Sequence, residues 1–221
     1  MPTVLITGAA RPNSIASGIA SHLKAEGWKV CTSDLNSGDY PCDLSAPEAP
    51  AELVSRVHAD HGHIAGLVLS HAHDEESGVL DTSAESFDKH IAVNARASLL
   101  LIAAFARQAD ESGGAIVAFT SDHTTGNLPY GASKGALDRI VISAARELGP
   151  QKISANVVNP GPIDTGWMDE ETRTGLLPYH SLGRLGTPRD IAAITAFLLA
   201  DDGRWISGQL LQADSGFSAR F

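Results

Sequence analysis

The sequence predicts an α/β domain built on a doubly wound parallel sheet, with residues 1–221 forming a single domain. Three observations carry this. Short β-branched apolar runs alternate with longer alanine-rich segments, the pattern of strands separated by crossover helices. The strand candidates read as continuous apolar runs, which suggests burial on both faces of the sheet. No internal repeat, low-complexity segment or linker interrupts the pattern, and 221 residues at 43% hydrophobic content can bury one sizeable core.

"TVLITG" opens the chain as a strand, and "SIASGIASHLKAEG" follows as a helix ending at Gly27. "KVCTSD" is the second strand, closed by Asp34. Only "LNSGDYP" separates it from "CDLS", too short and too rich in Gly, Pro and Asn for a full crossover helix. The crossover after the second strand is therefore expected to be abbreviated to a loop or a single turn. "IAGLVLS" is the next strand, "SAESFDKHIAVNARASLLLIAAFARQA" a helix and "GAIVAFTS" a strand. "YGASKGALDRIVISAARELG" is a helix and "ISANVVNPG" a strand, before the helix "TPRDIAAITAFLLAD" and the strand "GQLLQAD".

A net charge of −10 with no run of Lys or Arg argues against nucleic acid or an anionic membrane surface as the main partner. No apolar run reaches about 18 residues, so no membrane span is expected. "MPTVLITG" enters a strand directly, without a basic region and a long apolar one, which predicts no signal peptide. Cys31 and Cys42 make no disulfide framework and read as two reduced thiols of a cytoplasmic protein.

The stretch "TGAARPNSIASGIA" lies where a strand turns into a helix. Gly8 lets the backbone turn tightly and approach a phosphate. Ser14 is placed to cap a helix beginning near Ile15, whose free N–H groups favour an anion. Gly18, one turn inside, allows either close packing or close ligand approach. Asp34, at the end of the second strand, is placed to accept hydrogen bonds from both adenosine ribose hydroxyls and to repel a 2′-phosphate. Together these point to a dinucleotide. Arg11, in the loop, could pair with a phosphate, including the 2′-phosphate of NADP. A carboxylate beside a phosphate is costly, so Asp34 favours NAD and leaves NADP open.

"YGASK" puts Tyr130 and Lys134 four residues apart, on one face of a helix. Lys134 is expected to favour the Tyr130 phenolate, and a lowering of about two units corresponds to about 2.7 kcal/mol. That gives a proton donor and acceptor usable near neutral pH, against the commoner case of a plain surface Tyr–Lys pair. Ser121 ends a strand where an open α/β sheet presents side chains to a ligand, and its hydroxyl could polarise a carbonyl. Asn94 is polar in a largely apolar helix, which fits either a helix kink, a buried water or catalysis.

The set Thr7, Gly8, Asn94, Ser121, Tyr130, Lys134 and "NPGPIDT" resembles the short-chain dehydrogenase/reductases over nearly the whole chain. The resemblance implies a Rossmann fold and an NAD(P)-dependent oxidoreductase moving a hydride between nicotinamide and a carbonyl or alcohol carbon. It implies that Tyr130 is the general acid/base, and that Lys134 lowers its pKa and binds the nicotinamide ribose. Ser121 then hydrogen-bonds the substrate carbonyl, and Asn94 holds a water in a proton relay. The cofactor residues it implies are Gly8, Arg11, Ser14, Ile15, Gly18 and Asp34 in the first βαβ unit, and Ser70 in "SHAH". Asp43 and Leu44 of "CDLS" would meet the adenine, while Pro160, Gly161, Ile163 and Thr165 would flank the nicotinamide. It also implies a homodimer or homotetramer, often built on the helices carrying Asn94 and Tyr130.

The chain departs from the family in three places. Its glycine spacing, with "SIASGIA" after Gly8, is similar to that of the enoyl-acyl-carrier-protein reductases, a divergent branch that spaces Tyr and Lys farther apart than "YGASK" does. "SDHTTGNLPY" is shorter than usual, which brings Thr120, Thr124 and Thr125 into competition with Ser121. "SHAH" replaces "NNAG", placing His73 where a glycine usually lies near the cofactor. The enoyl reductase and a catalytically silent nucleotide-binding relative stand as alternatives.

Other candidates have bland readings beside sharp ones. His71 and His73 could share one face with Asp74 behind them as a metal site, but a strand end and solvated loop, with no metal, is the preferred reading. "HADHGH" reads as an exposed helix end and turn. Trp167 and Tyr179 could line a substrate pocket or simply pack.

Overall fold

A computed structural model describes residues 1–219 except Thr124 and Trp167. Six strands, β1 (Thr3–Thr7), β2 (Lys29–Ser33), β3 (Ile64–Leu69), β4 (Gly114–Phe119), β5 (Ile153–Asn159) and β6 (Leu210–Gln212), pair in the order β2-β1-β3-β4-β5-β6. Every pairing is parallel. This is the doubly wound sheet that the alternating apolar segments predict.

Residue alternation along β1 sorts the core into two layers. Val4 and Ile6 face α1 (Ile15–Ala25) and α7 (Pro188–Leu199), where Ile19, Leu23, Ile191 and Leu198 are fully buried. Leu5 faces the opposite layer, formed by α2 (Ala49–His61), α4 (Ala97–Gln108) and α5 (Leu128–Glu147). There Leu53, Val57, Leu101, Phe105 and Val141 close over the sheet. Apolar side chains on both faces of the strands explain why the runs show no polar alternation.

The stretch after β2 is a loop, as its composition predicts, closed by an antiparallel bridge between Ser33 and Gly38. The crossover itself is not abbreviated, because α2 completes it further on. Its first-turn Pro50 and its apolar stripe of Leu53, Val54 and Val57 explain that helix. It ends at His61 before Gly62, matching the exposed helix end read from "HADHGH".

The long helical stretch from Ala84 to Gln108 is not one regular helix. α3 (Ala84–His90) passes into a π segment, Ile91–Arg96, before α4, and the Ala97 N–H donates to the Ala92 carbonyl. Among the described residues it is the one stretch long and apolar enough, by length and composition, to cross a membrane. Here it packs as a core element, with Leu101 and Phe105 fully buried.

Gly18 lies where α1 meets α7. A Cβ there would sit 2.6 Å from Cβ of Pro188, so the missing side chain serves helix packing. Of the two readings of Gly18, close packing is the one realised.

Candidate active site

β1 is flanked by β2 on one side and β3 on the other, so the chain reverses its direction of travel across the sheet at β1. Ligand crevices in open α/β sheets form outside the carboxyl ends of the strands at such a point. Gly8 leaves β1 with φ +79°, and a Cβ there would come within 2.6 Å of the Ser70 and His71 backbone. Only glycine satisfies both demands.

A cleft of about 410 Å³ opens at this point. Gly8, Arg11, Ser14, Ile15 and Asp34 line its nucleotide-loop side, and Ser70 joins them from the end of β3. Tyr130, Lys134, Pro160 and Thr165 line it from α5 and the segment after β5. An adjoining cavity of about 300 Å³ shares Gly8, Asp34, His71 and Ala72 and adds Asp43 and Leu44. Most residues expected to hold a dinucleotide therefore meet in one continuous groove.

Three expected cofactor residues do not line this groove. Gly18 packs on Pro188, as described. Gly161 has φ +62°, and a Cβ there would lie 2.6 Å from Asp214 Cβ, so its glycine serves a close chain approach. Ile163 is buried and lines a separate cavity of about 180 Å³ that shares Pro160.

Local chemistry shapes the nucleotide loop. Ser14 caps α1, its Oγ accepting the Ser17 N–H at 3.1 Å, so the helix start is built as the sequence predicts. Asn13, at φ +61°, takes the left-handed turn that a short polar side chain tolerates. Asp34 accepts the Ala10 N–H at 2.8 Å through Oδ2 and the Leu35 N–H at 2.7 Å through Oδ1. Its carboxylate thus ties the tip of β2 to the loop after β1.

Tyr130 and Lys134 share a face of α5, with Nζ 5.6 Å from the phenol ring centroid. The expected lowering of the Tyr130 pKa is not found. Burial, helped by the Asp74 carboxylate, pushes the phenol up to about 12. The fully buried Lys134 ammonium donates to the Phe119 carbonyl at 2.8 Å, and burial lowers its pKa to about 8. Desolvation of both groups outweighs their proximity.

Asn94 sits in the π segment, fully buried. Its Oδ1 accepts the His73 N–H at 2.7 Å, and its Nδ2 donates to the His73 carbonyl at 2.9 Å and to Ser133 Oγ at 2.8 Å. Ser133 Oγ in turn donates to the Tyr130 carbonyl at 2.7 Å. Asn94 thus lies at a helix irregularity, but its side chain serves the loop after β3 and helix α5 and not the helix's own backbone. Both amide protons are spent on protein partners, which leaves one oxygen lone pair for any water.

Ser121 is half-buried, accepts the His123 N–H at 3.1 Å, and is not among the described residues lining the cleft. Thr120 does line it, but its hydroxyl turns to α5, 3.5 Å from the Lys134 carbonyl and bonded to Asp138. Thr125 is exposed, and Thr124 lies outside the described residues.

His71 and His73 do not share a face. His71 is buried, with Nδ1 2.7 Å from Thr7 Oγ1 and Nε2 3.1 Å from the Val93 carbonyl. Val93 can only accept, so Nε2 carries the proton and Nδ1 accepts from Thr7. Burial, with a contribution from Lys134, lowers the His71 pKa to about 3. His73 instead packs at a tilt against His90, ring centroids 4.5 Å apart and planes inclined by 55°. Tyr179 packs edge-on against Phe217 at 6.1 Å, and Trp167 lies outside the described residues.

Sequence reasoning missed Asp74 as a cleft residue. It lines the groove beside Tyr130, and its Oδ1 accepts from Asn127 Nδ2 at 2.6 Å. An acidic loop read as solvated gave no signal for this. The one clue was that "SHAHDEE" begins where β3 delivers the chain to the cleft.

The chain matches the enoyl-(acyl carrier protein) reductase family over residues 8–218. It is 34% identical to the uncharacterized oxidoreductase YjdA of Bacillus subtilis, over 96% of this chain and 95% of that one. It is 29% identical to the 3-oxoacyl-[acyl-carrier-protein] reductase MabA of Mycobacterium tuberculosis, over 97% and 92% of the two chains. A blue fluorescent protein from a metagenomic library, solved in complex with NADPH, superposes with a TM-score of 0.87 at 26% identity over 98% of each chain. Fold, groove and relatives agree: the chain belongs to the short-chain dehydrogenase/reductase family of NAD(P)-dependent oxidoreductases.

Proposed function

We propose that this protein reduces the carbonyl group of a small molecule with NADH, using Tyr130 as the proton donor. The observation that carries this reading is that Tyr130 and Lys134 line the same groove as Gly8 and Asp34. The residues fit a dinucleotide. Gly8 makes the tight turn that brings the loop after β1 against the end of β3, the Ser14-capped start of α1 offers N–H groups to phosphate, and Asp34 stands at the tip of β2.

Bound there, the nicotinamide supplies hydride chemistry. Tyr130, held up at about 12, stays protonated across neutral pH and donates to the carbonyl oxygen as that oxygen gains charge. The Lys134 ammonium, 5.6 Å from the ring centroid, then stabilises the phenolate left behind. In this reading Ser121, which stands just outside the cleft lining, turns its hydroxyl to the carbonyl as substrate binds, since the bond from His123 leaves its own proton unused. Asn94 holds the Tyr130 turn through Ser133.

Asp34 supports NADH over NADPH. The competing reading, NADPH, draws on Arg11 in the same groove and on the NADPH-bound structural relative. Titrating both nucleotides decides between them, and tighter NADPH binding would reverse the preference. Tyr130→Phe should abolish ketone turnover while nucleotide still binds, and unchanged turnover would refute the assignment.

Enoyl-thioester reduction is the second reading, favoured by the spacing of "SIASGIA" and the family match. An enoyl thioester assayed beside a ketone separates the two. Assembly as a homodimer or homotetramer, through the alanine-rich faces of α4 and α5, belongs to the proposal, as does a cytoplasmic setting, supported by two free thiols.

A further inference from the structure

The catalytic end of the groove holds one carboxylate that the chemistry above does not use. Asp74 lines the groove with Tyr130 and Lys134, and its Oδ1 accepts from Asn127 Nδ2 at 2.6 Å. Asn127 is only 2% exposed and immediately precedes α5. The next residue, Leu128, donates its N–H to the Ser77 carbonyl at 2.9 Å. Residues 74–77 are thereby fastened twice to the helix start that carries Tyr130. The carboxylate, though exposed, is tied to the start of the helix that carries the phenol.

The charges around it are asymmetric. Among the described residues, two cationic residues line the main cleft, Arg11 and Lys134, and Lys89 lines the adjoining cavity at the Asp43 end. Arg11 belongs to the nucleotide loop, and the Lys134 ammonium is buried and committed to the Phe119 carbonyl. A substrate presenting its carbonyl to Tyr130 thus meets an anion, and among the described residues lining the main cleft the one cation at that end, Lys134, is buried beneath the phenol.

We propose that Asp74 is a specificity-determining residue that selects carbonyl substrates bearing an ammonium or similar cationic group near the carbonyl. It rejects substrates bearing a carboxylate there. This rests on the carbonyl-reductase reading and narrows it to a substrate class. Asp74 is exposed, so solvent screens the attraction of opposite charges and the repulsion of like ones, and the selection is one of degree.

The test uses three ketones of like shape: an amino ketone, its methyl isostere and the matching keto acid. The wild type should favour the amino ketone over the isostere by roughly 3- to 10-fold in kcat/KM, with the keto acid poorest. Asp74→Asn still offers an oxygen to Asn127, and its amino-to-isostere ratio should fall close to one. Because the ratio cancels any common effect on Tyr130, a purely structural role would leave it unchanged, and that result overturns the proposal. So does a wild type showing no preference for the amino ketone. If no ketone turns over, the reductase reading fails, and calorimetry with the corresponding amino alcohol and neutral alcohol, with and without NADH, still decides. Tighter binding of the amino alcohol by the wild type, lost in Asp74→Asn, supports the site, and equal binding of the two alcohols overturns it.

Discussion

Lys134 Nζ donates to the carbonyl oxygen of Phe119 at 2.8 Å, anchoring a buried ammonium on the last residue of β4. The bond fixes where the positive charge stands, and burial lowers its pKa from 10.5 to about 8.

A folded-state pKa below the unfolded value means the unfolded chain binds more protons between about pH 8 and 10.5. Lys134 therefore costs stability below pH 8, and the cost fades as pH rises through that window. The wild type should gain on Lys134→Met by up to about 1.4 kcal/mol per pH unit between pH 8 and 10. Above pH 10 the raised Tyr130 pKa begins to work in the opposite sense. Urea denaturation at matched pH values checks this, and a pH-independent difference contradicts it. Lys134→Met should also lower kcat/KM by about 100-fold or more.

His71 gives the acid-side counterpart. Its pKa is lowered from 6.5 to about 3, so the unfolded chain takes up the proton first as pH falls. Stability from His71 is complete above about 6.5 and lost progressively towards pH 3. Asn in its place still offers an acceptor and a donor but does not titrate. His71→Asn should remove up to about 1.4 kcal/mol per pH unit from the acid-side slope between pH 6 and 4. Thermal melts across that range measure it.

Asn94→Ala strips partners from the His73 N–H and carbonyl and from Ser133 Oγ together. Buried groups left unpaired in this way cost about 1–3 kcal/mol each where water cannot reach them. A loss of about 2–4 kcal/mol is expected in chemical denaturation. Turnover should fall with KM little changed, because Ser133 holds the Tyr130 turn.

Two glycines of the opening loop should respond differently. Gly8→Ala forces φ +79° on a residue with a Cβ and drives that atom into the Ser70–His71 backbone. It should destabilise by about 2 kcal/mol or more and abolish nucleotide binding. Gly18→Ala meets Pro188 instead, so it should lower the melting temperature while the purified folded protein keeps its nucleotide affinity. Nucleotide titration of both variants separates the roles.

The βαβ unit was legible because each part has its own physical signature: a buried strand, a capping Ser14, a tip carboxylate at Asp34. The Tyr130–Lys134 pairing was legible from helical spacing alone. Helix α2 left a weaker trace, because only Leu53, Val54 and Val57 make its apolar stripe beyond Pro50, with Pro47 just before the helix and Pro50 in its first turn. The roles of Gly18 and Gly161 could not be read, since a glycine that admits a ligand and one that admits Pro188 or Asp214 look the same in one dimension. The protonation of Tyr130 was misjudged for a related reason. Spacing shows that an ammonium is near but not how much water both groups have lost.

The π segment between α3 and α4 also bears on chain length. Each residue of an α-helix advances the face by about 100°. Removing one residue from Ile91–Arg96 would let the widened turn close into an ordinary α-helix with its two flanking halves still in phase. Leu101 and Phe105 would keep facing the sheet, while Asn94 would lose the wide turn that aims it at His73 and Ser133. The helix that looks most uniform in composition is thus one whose single-residue deletion spares the core and strikes the site.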